Sequence, residues 1–506
     1  MTAAFRAERE ALKRRRRRII LNNDGNEPVY LIEAPTEEEL LKYRTGPLAG
    51  SQVDTVFYAT WCSGFTMFTH LTKVGQLFTV EGDWYNRNMM AALAEAGIDP
   101  LRVMNDFIHE QGREFFWSLR MNDTHDSQGA AYSAEMFAAN DFKQTHPEYL
   151  LATPETRPRY GGWSAVDFAE PEVRELTFRF VEEVCLNYDV DGVELDFYRH
   201  PVFFREPARG FPAGGVERDL MTDLVRRIRR MTEEVGQRRG RPILVAARLP
   251  DSVPYCRAIG LDLERWLADD LLDLLIPAGY LKLNPWETSV ELGHRYGAMV
   301  YPALDESRVQ EPGTADVKTG TFRTARGSDA SYRARAANVW RAGSDGVYLY
   351  NFFNPSSPIL RQLGEMGTIR SAERRYFVSV RGVARVAGDG FPHESYLRVP
   401  TLTPQHPRQL FPGRPVAEYL TVGEDPRAEP LPGSAALELR VWNADTSQIS
   451  AAVNGQTLAL QAGEGDLATA AVEPHAIIPG ANRIEVSLDA AATRPALLAD
   501  ARIVLA

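Results

Sequence analysis

The stretch DVDGVELDFYRH, Asp189 through His200, decides the fold. It reads as a buried strand, yet it carries acids at alternate positions, Glu194 and Asp196. Residues two apart in an extended chain point the same way, so Val193, Leu195 and Phe197 share one face while Glu194, Asp196 and Tyr198 share the other. Unpaired buried charge is costly. Such a strand either pairs its acids with buried cations or lines a working cavity.

Working outward, seven further short apolar runs flank this one. They are RIILNND (18–24), VDTVFYAT (53–60), EFFWSLRMND (114–123), PILVAARLP (242–250), LLDLLIPAGY (271–280), YGAMVYPAL (296–304) and SDGVYLYNF (344–352). The gaps hold helical patterns with apolar residues three to four apart, as in EVRELTFRFVEEVCLNY and RDLMTDLVRRIRRMTEEVG. Eight strands alternating with helices predict an α/β fold, a (β/α)8 (TIM) barrel over residues 1–375. Past 375 helical spacing gives way to segments punctuated by Pro and Gly. From about 434 the chain alternates as AALELRVWNAD, ISAAVNGQTLAL, LATAAVEP and NRIEVSLD, with VNGQ as a hairpin signal. These predict a C-terminal β-sandwich over 376–506, which packs on the barrel, buries an oligomer contact or binds sugar.

A chain of 506 residues exceeds what one core holds, in keeping with two domains. Its net charge of −11 argues against a nucleic-acid partner, whose footprint would be basic. No run approaches the ~20 apolar residues of a membrane span. The opening MTAAFRAEREALKRRRRRIIL lacks an apolar signal core, so the chain as written is expected to be cytoplasmic. The arginine run Arg14–Arg18 is expected to be a solvated helix end, with an interaction patch as the alternative. Cys62, Cys185 and Cys256 lie far apart without metal spacing and are expected to be buried thiols. A homo-oligomer is left open.

Nearly every strand exits into polar or aromatic residues: Asn22, Asn23 and Asp24; Thr60 and Trp61; Arg120, Asn122, Asp123 and His125; Arg248; Tyr280; Asp305 and Glu306; Tyr350 and Asn351. Barrel active sites are built on this rim. Glu194 and Asp196 are close enough in sequence for like charge to push one pKa upward, which can hold a general acid beside an anionic nucleophile or base. Glycosidic bond cleavage needs that division of labour. The alternative is a structural pair with Arg248, Arg199 or Arg120. The partner acid is expected at Asp305 or Glu306, either of which could instead cap a helix. Asp123 and His125 could hold a substrate, shape a loop or, on weaker grounds, bind a divalent metal. Trp61, Trp163 and Tyr280 either stack on sugar rings or pack.

The fourth-strand segment YDVDGVELDFYRHP resembles the signature of bacterial glycosyl-hydrolase-like (β/α)8 barrels, D-G-(I/V)-x-(L/F)-D-(Y/F)-x-R-(Y/H)-P, with Asp196 on its second Asp. FWSLRMNDTHD, HPEYLL and FAEPEVRELTFRFVEEV are similar to the same group over about 20–370. The resemblance implies a barrel and carbohydrate chemistry. The strand also resembles the D-G-x-D-x-D-x-E of family 18 chitinases, but Tyr198 stands where their catalytic acid falls, which argues against that substrate-assisted mechanism.

The expectation is a glycoside hydrolase with Asp196 as nucleophile or base and Glu194 or Asp305 as proton donor. Trp61, Arg120, Asn122, Asp123, His125, Tyr198, Arg199, Arg248, Tyr280 and Asn351 would surround a carbohydrate substrate, with no cofactor and no metal. A non-catalytic carbohydrate-binding barrel and a metal-dependent lyase or isomerase using Asp123, His125 and Glu194 are the alternatives.

Overall fold

The computed structural model describes residues 2–127, 129, 131–279, 282–306, 309, 325–381, 391–428 and 433–506. Its first unit is a parallel barrel of β1 (Ile19–Asn23), β2 (Val53–Tyr58), β3 (Glu114–Arg120), β4 (Gly192–Asp196), β5 (Leu244–Pro250), β6 (Leu274–Ala278), β7 (Met299–Val300 and Ala303–Asp305) and β8 (Val347–Tyr350). Neighbours pair in chain order, and β8 returns to pair with β1. The strand β7 is broken at Pro302, which has no N–H to give a ladder. Its first piece pairs with β6 and its second with β8. Tyr301 N–H to the Leu275 carbonyl (2.9 Å) and Tyr348 N–H to the Pro302 carbonyl (3.1 Å) carry the sheet across the break.

Strand parity sorts the side chains as alternation requires. Val193 and Leu195 face outward into one apolar core with the helices, among them Pro171–Asn187 and Gly215–Arg239. Ile20, Phe57, Phe116, Leu244, Ala246, Leu274 and Tyr348 face inward and fill the barrel. Inward-facing Gly192 gives its space to Phe116: a Cβ there would lie 2.1 Å from the ring, which itself stacks on Phe57 at 4.5 Å. Gly192→Ala is therefore expected to cost about 1–3 kcal/mol through overpacking, read as a lower urea midpoint with the same slope.

The opening helix, Ala3–Lys13, packs against the barrel through Leu12 and closes its lower end. The arginine run does not end in solvent as expected: Arg14, Arg15 and Arg16 are exposed, but Arg17 is fully buried. It forms a two-pronged pair with Glu114 at 2.7 and 2.8 Å. A planar fork meeting both carboxylate oxygens is what allows arginine to be buried there.

The C-terminal unit is a sandwich of two antiparallel sheets. One runs Arg374–Phe377, Ala496–Leu505, Ala435–Trp442, Leu467–Ala471 and Gln461–Ala462; the other runs Val416–Val422, Gly480–Leu488, Ile449–Val453 and Gln456–Leu458. VNGQ makes the predicted hairpin, with Val453 opposite Gln456 and positive φ at Asn454 (50°) and Gly455 (88°). That pair of left-handed residues matches the twist of the strands it joins. The helix Asp329–Arg341 lies between barrel and sandwich. Arg326 pins it to Asp500 at 2.7 Å, and Arg374 is buried against Glu424 at 2.9 Å. All three cysteines are buried free thiols, and among the described residues no helix is long and apolar enough to cross a membrane.

Candidate active site

Two layers of inward side chains lie one above the other at the C-terminal end of the barrel. The lower holds Glu194, with Ser118 and Ala246 beside it on β3 and β5. The upper holds Asp196, in register with Arg120 and Arg248. From β7 and β8 come Asp305 and Tyr350, also in register with each other.

In the lower layer the Glu194 Oε2 accepts from Ser118 Oγ at 2.5 Å and from Tyr348 OH at 3.0 Å. Its Oε1 is buried without a hydrogen-bond partner among the described residues. Burial first, and Asp196 next, push the Glu194 carboxyl up to about 8, against the opposing pull of Ser118, Arg248 and Tyr348. It is therefore protonated at neutral pH. Linkage gives the sign. Between the usual 4.5 and about 8 the folded chain keeps a proton that the unfolded chain has lost. Stability from this group is thus fully present below about 4.5 and is lost as pH rises through about 8. Glu194→Gln, which keeps the acceptor for Ser118 and Tyr348, is expected to gain on the wild type by up to a few kcal/mol at pH 9, at about 1.4 kcal/mol per pKa unit. At pH 5 the gap should be much smaller. Chemical denaturation at the two pH values measures it, and an equal difference at both would sink the assignment.

In the upper layer Arg248 is fully buried and joins two acids. Its Nη1 donates to Asp196 Oδ1 at 3.0 Å and its Nη2 to Asp305 Oδ1 at 3.2 Å. The guanidinium lies 3.6 Å from the Tyr350 ring centroid and 5.0 Å from that of Tyr198. Asp196 Oδ1 also accepts the backbone N–H groups of Tyr198 (2.9 Å) and Arg199 (3.1 Å). Asp305 Oδ2 accepts Gly279 N–H at 2.7 Å. Among the described residues Asp305 caps no helix; it holds Arg248 in place from two strands away. Glu306, the other sequence candidate, is half-buried just beyond it.

Arg120 makes a second pair, with Asp24 at 2.7 Å, and stands 5.1 Å over the Trp61 ring. Its Nη1 lies 3.6 Å from Asp123. Burial opposes the charge on Asp24, but Arg120, Arg44 and Arg199 hold its carboxyl below the usual range. Asp123 is likewise held well below that range against its burial, by His125, His200 and Arg120. His125 Nδ1 lies 2.7 Å from Asp123 Oδ2, and Arg199 Nη2 lies 2.6 Å from His125 Nε2. Burial pushes both His125 and His200 down, so His125 is a neutral ring that donates to Asp123 through Nδ1 and accepts from Arg199 at Nε2. Asp123, His125 and His200 bring three ligand-type atoms within 4.8 Å of one another, a cluster that could suit a divalent ion. The two guanidinium groups already supply positive charge there.

Other expected site residues fall in different places. Asn122 is fully buried, and its carboxamide is spent on the backbone: it donates to the Val166 and Val202 carbonyls (2.9 and 2.6 Å) and accepts Val166 N–H (2.9 Å). It stitches two rim loops together rather than facing a ligand. Trp163 packs on Phe137, ring centroids 4.6 Å apart. Trp61 lies at the mouth, stacked on His125 at 5.8 Å, its indole N–H buried with no partner among the described residues. Tyr198 and Asn351 lie at the exits of β4 and β8, and Tyr280 falls outside the described residues.

Backbone strain gathers at the same mouth. Thr60 (φ 42°), Trp61 (40°), Phe65 (78°), His200 (59°) and Asn351 (53°) are non-glycine residues in the left-handed region, all beyond the ends of β2, β4 and β8. A β-branched threonine there is a genuine outlier, and such strain persists mainly at functional sites. Asp24 and Tyr350, noted in the sequence at the exits of β1 and β8, join the site, and Ser118, Tyr348 and His200 belong to it without having been expected there. Ser118 shares the Arg120 face of FWSLR, and Tyr348 and Tyr350 share one face of VYLY, so the same parity rule that exposed Glu194 and Asp196 marks them.

No protein-family model matches the sequence, and no curated protein does. Among solved structures, the chain is similar to the PgaB (BpsB) glycoside hydrolase domain from Bordetella bronchiseptica, at 13% identity and a TM-score of 0.41, over 69% of this chain and 98% of that one. It is similar to a glycoside hydrolase family 18 N-acetylglucosaminidase from Paenibacillus barengoltzii at 14% identity and a TM-score of 0.37, over 70% and 99%. An Anoxybacillus alpha-amylase aligns over 94% of this chain and 98% of its own, at 8% identity and a TM-score of 0.39. What the strand pairing itself establishes is a (β/α)8 barrel joined to a β-sandwich, with its polar face at the C-terminal mouth.

Proposed function

We propose that the protein is a glycoside hydrolase working at the C-terminal mouth of its barrel. The observation that carries this reading is the vertical pair on β4: Glu194, which keeps its proton at neutral pH, beneath Asp196, which Arg248 and two backbone N–H groups hold in the layer nearer the mouth. A carboxyl that keeps its proton beneath a carboxyl paired with an arginine supplies the acid and the nucleophile or base that glycosidic cleavage requires. Asp196 is the nucleophile or base, and Glu194 is the proton source. Asp305, expected as a possible donor, shares the Arg248 guanidinium with Asp196 and is assigned a positioning role through it. Arg120, Arg199, His125, Tyr198 and Trp61 hold the sugar hydroxyls and one ring face. The test is a screen of aryl α- and β-glycosides and natural oligosaccharides with Asp196→Asn as control. Sugar release that the substitution abolishes supports the proposal.

A second reading, a barrel that binds carbohydrate without cleaving it, rests on a specific feature. Every acid of the upper layer is already tied to an arginine, and Tyr198 occupies the position of the family 18 acid. It predicts glycan binding that survives Asp196→Asn and no sugar released by the wild type.

A further inference from the structure

Behind β7, outside the barrel wall, lies a pocket of about 140 Å³ between barrel and sandwich. Leu304, which faces outward while Ala303 and Asp305 face inward, forms part of its floor. It thus lies on the outer side of the wall that carries Asp305, bordering the site through Gly279 and Arg381. Five of its described lining residues are cationic, Lys282, Arg335, Arg375, Arg381 and Arg398, against a single acid, Glu287. In a chain of net charge −11 this concentration is unusual.

Asp251 and Glu394 act on Lys282 and Arg381 through space, but several guanidinium N–H groups have no acceptor among the described residues. Arg335 is 8% exposed; its Nη2 donates to the Asp305 backbone carbonyl at 2.6 Å, while its Nη1 is buried without a hydrogen-bond partner among the described residues. The same holds for Nε and Nη2 of Arg381 and for Nε of Arg375. Arg375 reaches Glu373 with its Nη2 at 2.7 Å, and among the described residues Arg398 donates to the Ser395 and Leu397 carbonyls. The Lys282 amine stands 4.4 Å over the Trp286 ring, and burial pushes it down to about 8. Guanidinium groups buried with open N–H donors are costly unless an acceptor of opposite charge meets them. Their planar forks suit the oxygens of a carboxylate, sulfate or phosphate.

We propose that this interdomain pocket binds a small oxyanion, held by Arg335 from the barrel side and Arg381 and Arg375 from the sandwich side, with the Trp286 face beside it. The anion is either free or carried on a sugar-sized ligand. It would tie the two domains together, so binding should register as stabilisation.

The experiment uses the full chain. Melting temperature and calorimetric binding are followed against inorganic sulfate, inorganic phosphate, glucuronate and glucose, with chloride at matched ionic strength as the reference. Arg381→Gln is the principal variant, because it removes no hydrogen bond of its side chain to the described residues. Arg335→Gln is the second. Saturable binding of an oxyanion that each variant weakens about tenfold or more, the size of one lost charged hydrogen bond, is the expected result. If glucuronate binds more tightly than sulfate and phosphate while glucose does not bind, the anion is carried on a sugar; if sulfate or phosphate binds as tightly, it is free. A non-saturating rise in melting temperature, the same in wild type and both variants, is general salt exclusion and overturns the proposal. It would leave the catalytic reading untouched.

Discussion

Asp196→Asn is expected to lower kcat on a true substrate by about 10²–10⁴-fold, the range for loss of a positioned acid–base group. The substitution is nearly isosteric. A side-chain oxygen can still accept the N–H groups of Tyr198 and Arg199, so the turn that ends β4 should survive. What disappears is the carboxylate that the proposal makes nucleophile or base. KM should change less than kcat, because the sugar contacts proposed above fall mainly to Trp61, Arg120, Arg199 and His125. Far-ultraviolet circular dichroism and the urea midpoint, taken alongside kinetics, separate lost chemistry from lost fold. Unchanged turnover in a folded variant would remove Asp196 from the mechanism, and unchanged glycan affinity with no turnover in either protein would favour the binding barrel.

The second large effect is on stability. Arg248→Met should destabilise the protein by about 3–5 kcal/mol, the cost of leaving buried partners uncompensated. Asp196 and Asp305 are each 1% exposed and share this one guanidinium. Methionine fills part of the space over Tyr350 but answers neither carboxylate. Arg248→Lys should fall between, since a single ammonium cannot span both acids as the fork does. A guanidinium denaturation series across the three proteins ranks them. Equal midpoints for the wild type and Arg248→Met would mean that the two acids find other compensation. Activity should fall in both variants, in Arg248→Lys by more than its stability alone explains, because Asp196 loses its orientation.

Much of this was legible in the chain. All eight barrel strands, the alternating faces of β4 and the VNGQ hairpin follow from local rules, since strand parity, turn chemistry and apolar periodicity act within a few residues. The prominence of Glu194 and Asp196 came from the same parity. Asn122, by contrast, looked like a ligand-facing residue because it follows a barrel strand. Its role depends on where Val166 and Val202, some 44 and 80 residues on, bring their carbonyls. Arg17 looked solvated within a run of arginines, and only its partner Glu114, at the start of β3, explains its burial.

The sequence by itself determined the barrel, the sandwich and the acidic face at the end of the fourth strand, because those depend on residues adjacent along the chain. Tertiary structure alone decided what the acids became. It set Glu194 one layer below Asp196, against Tyr348 from the far side of the barrel, and made burial rather than like charge the leading cause of its raised pKa. It also joined Asp196 to Asp305 through Arg248 and gathered five cations behind β7. Desolvation and charge pairing depend on distances through space, and no local pattern in the chain encodes them.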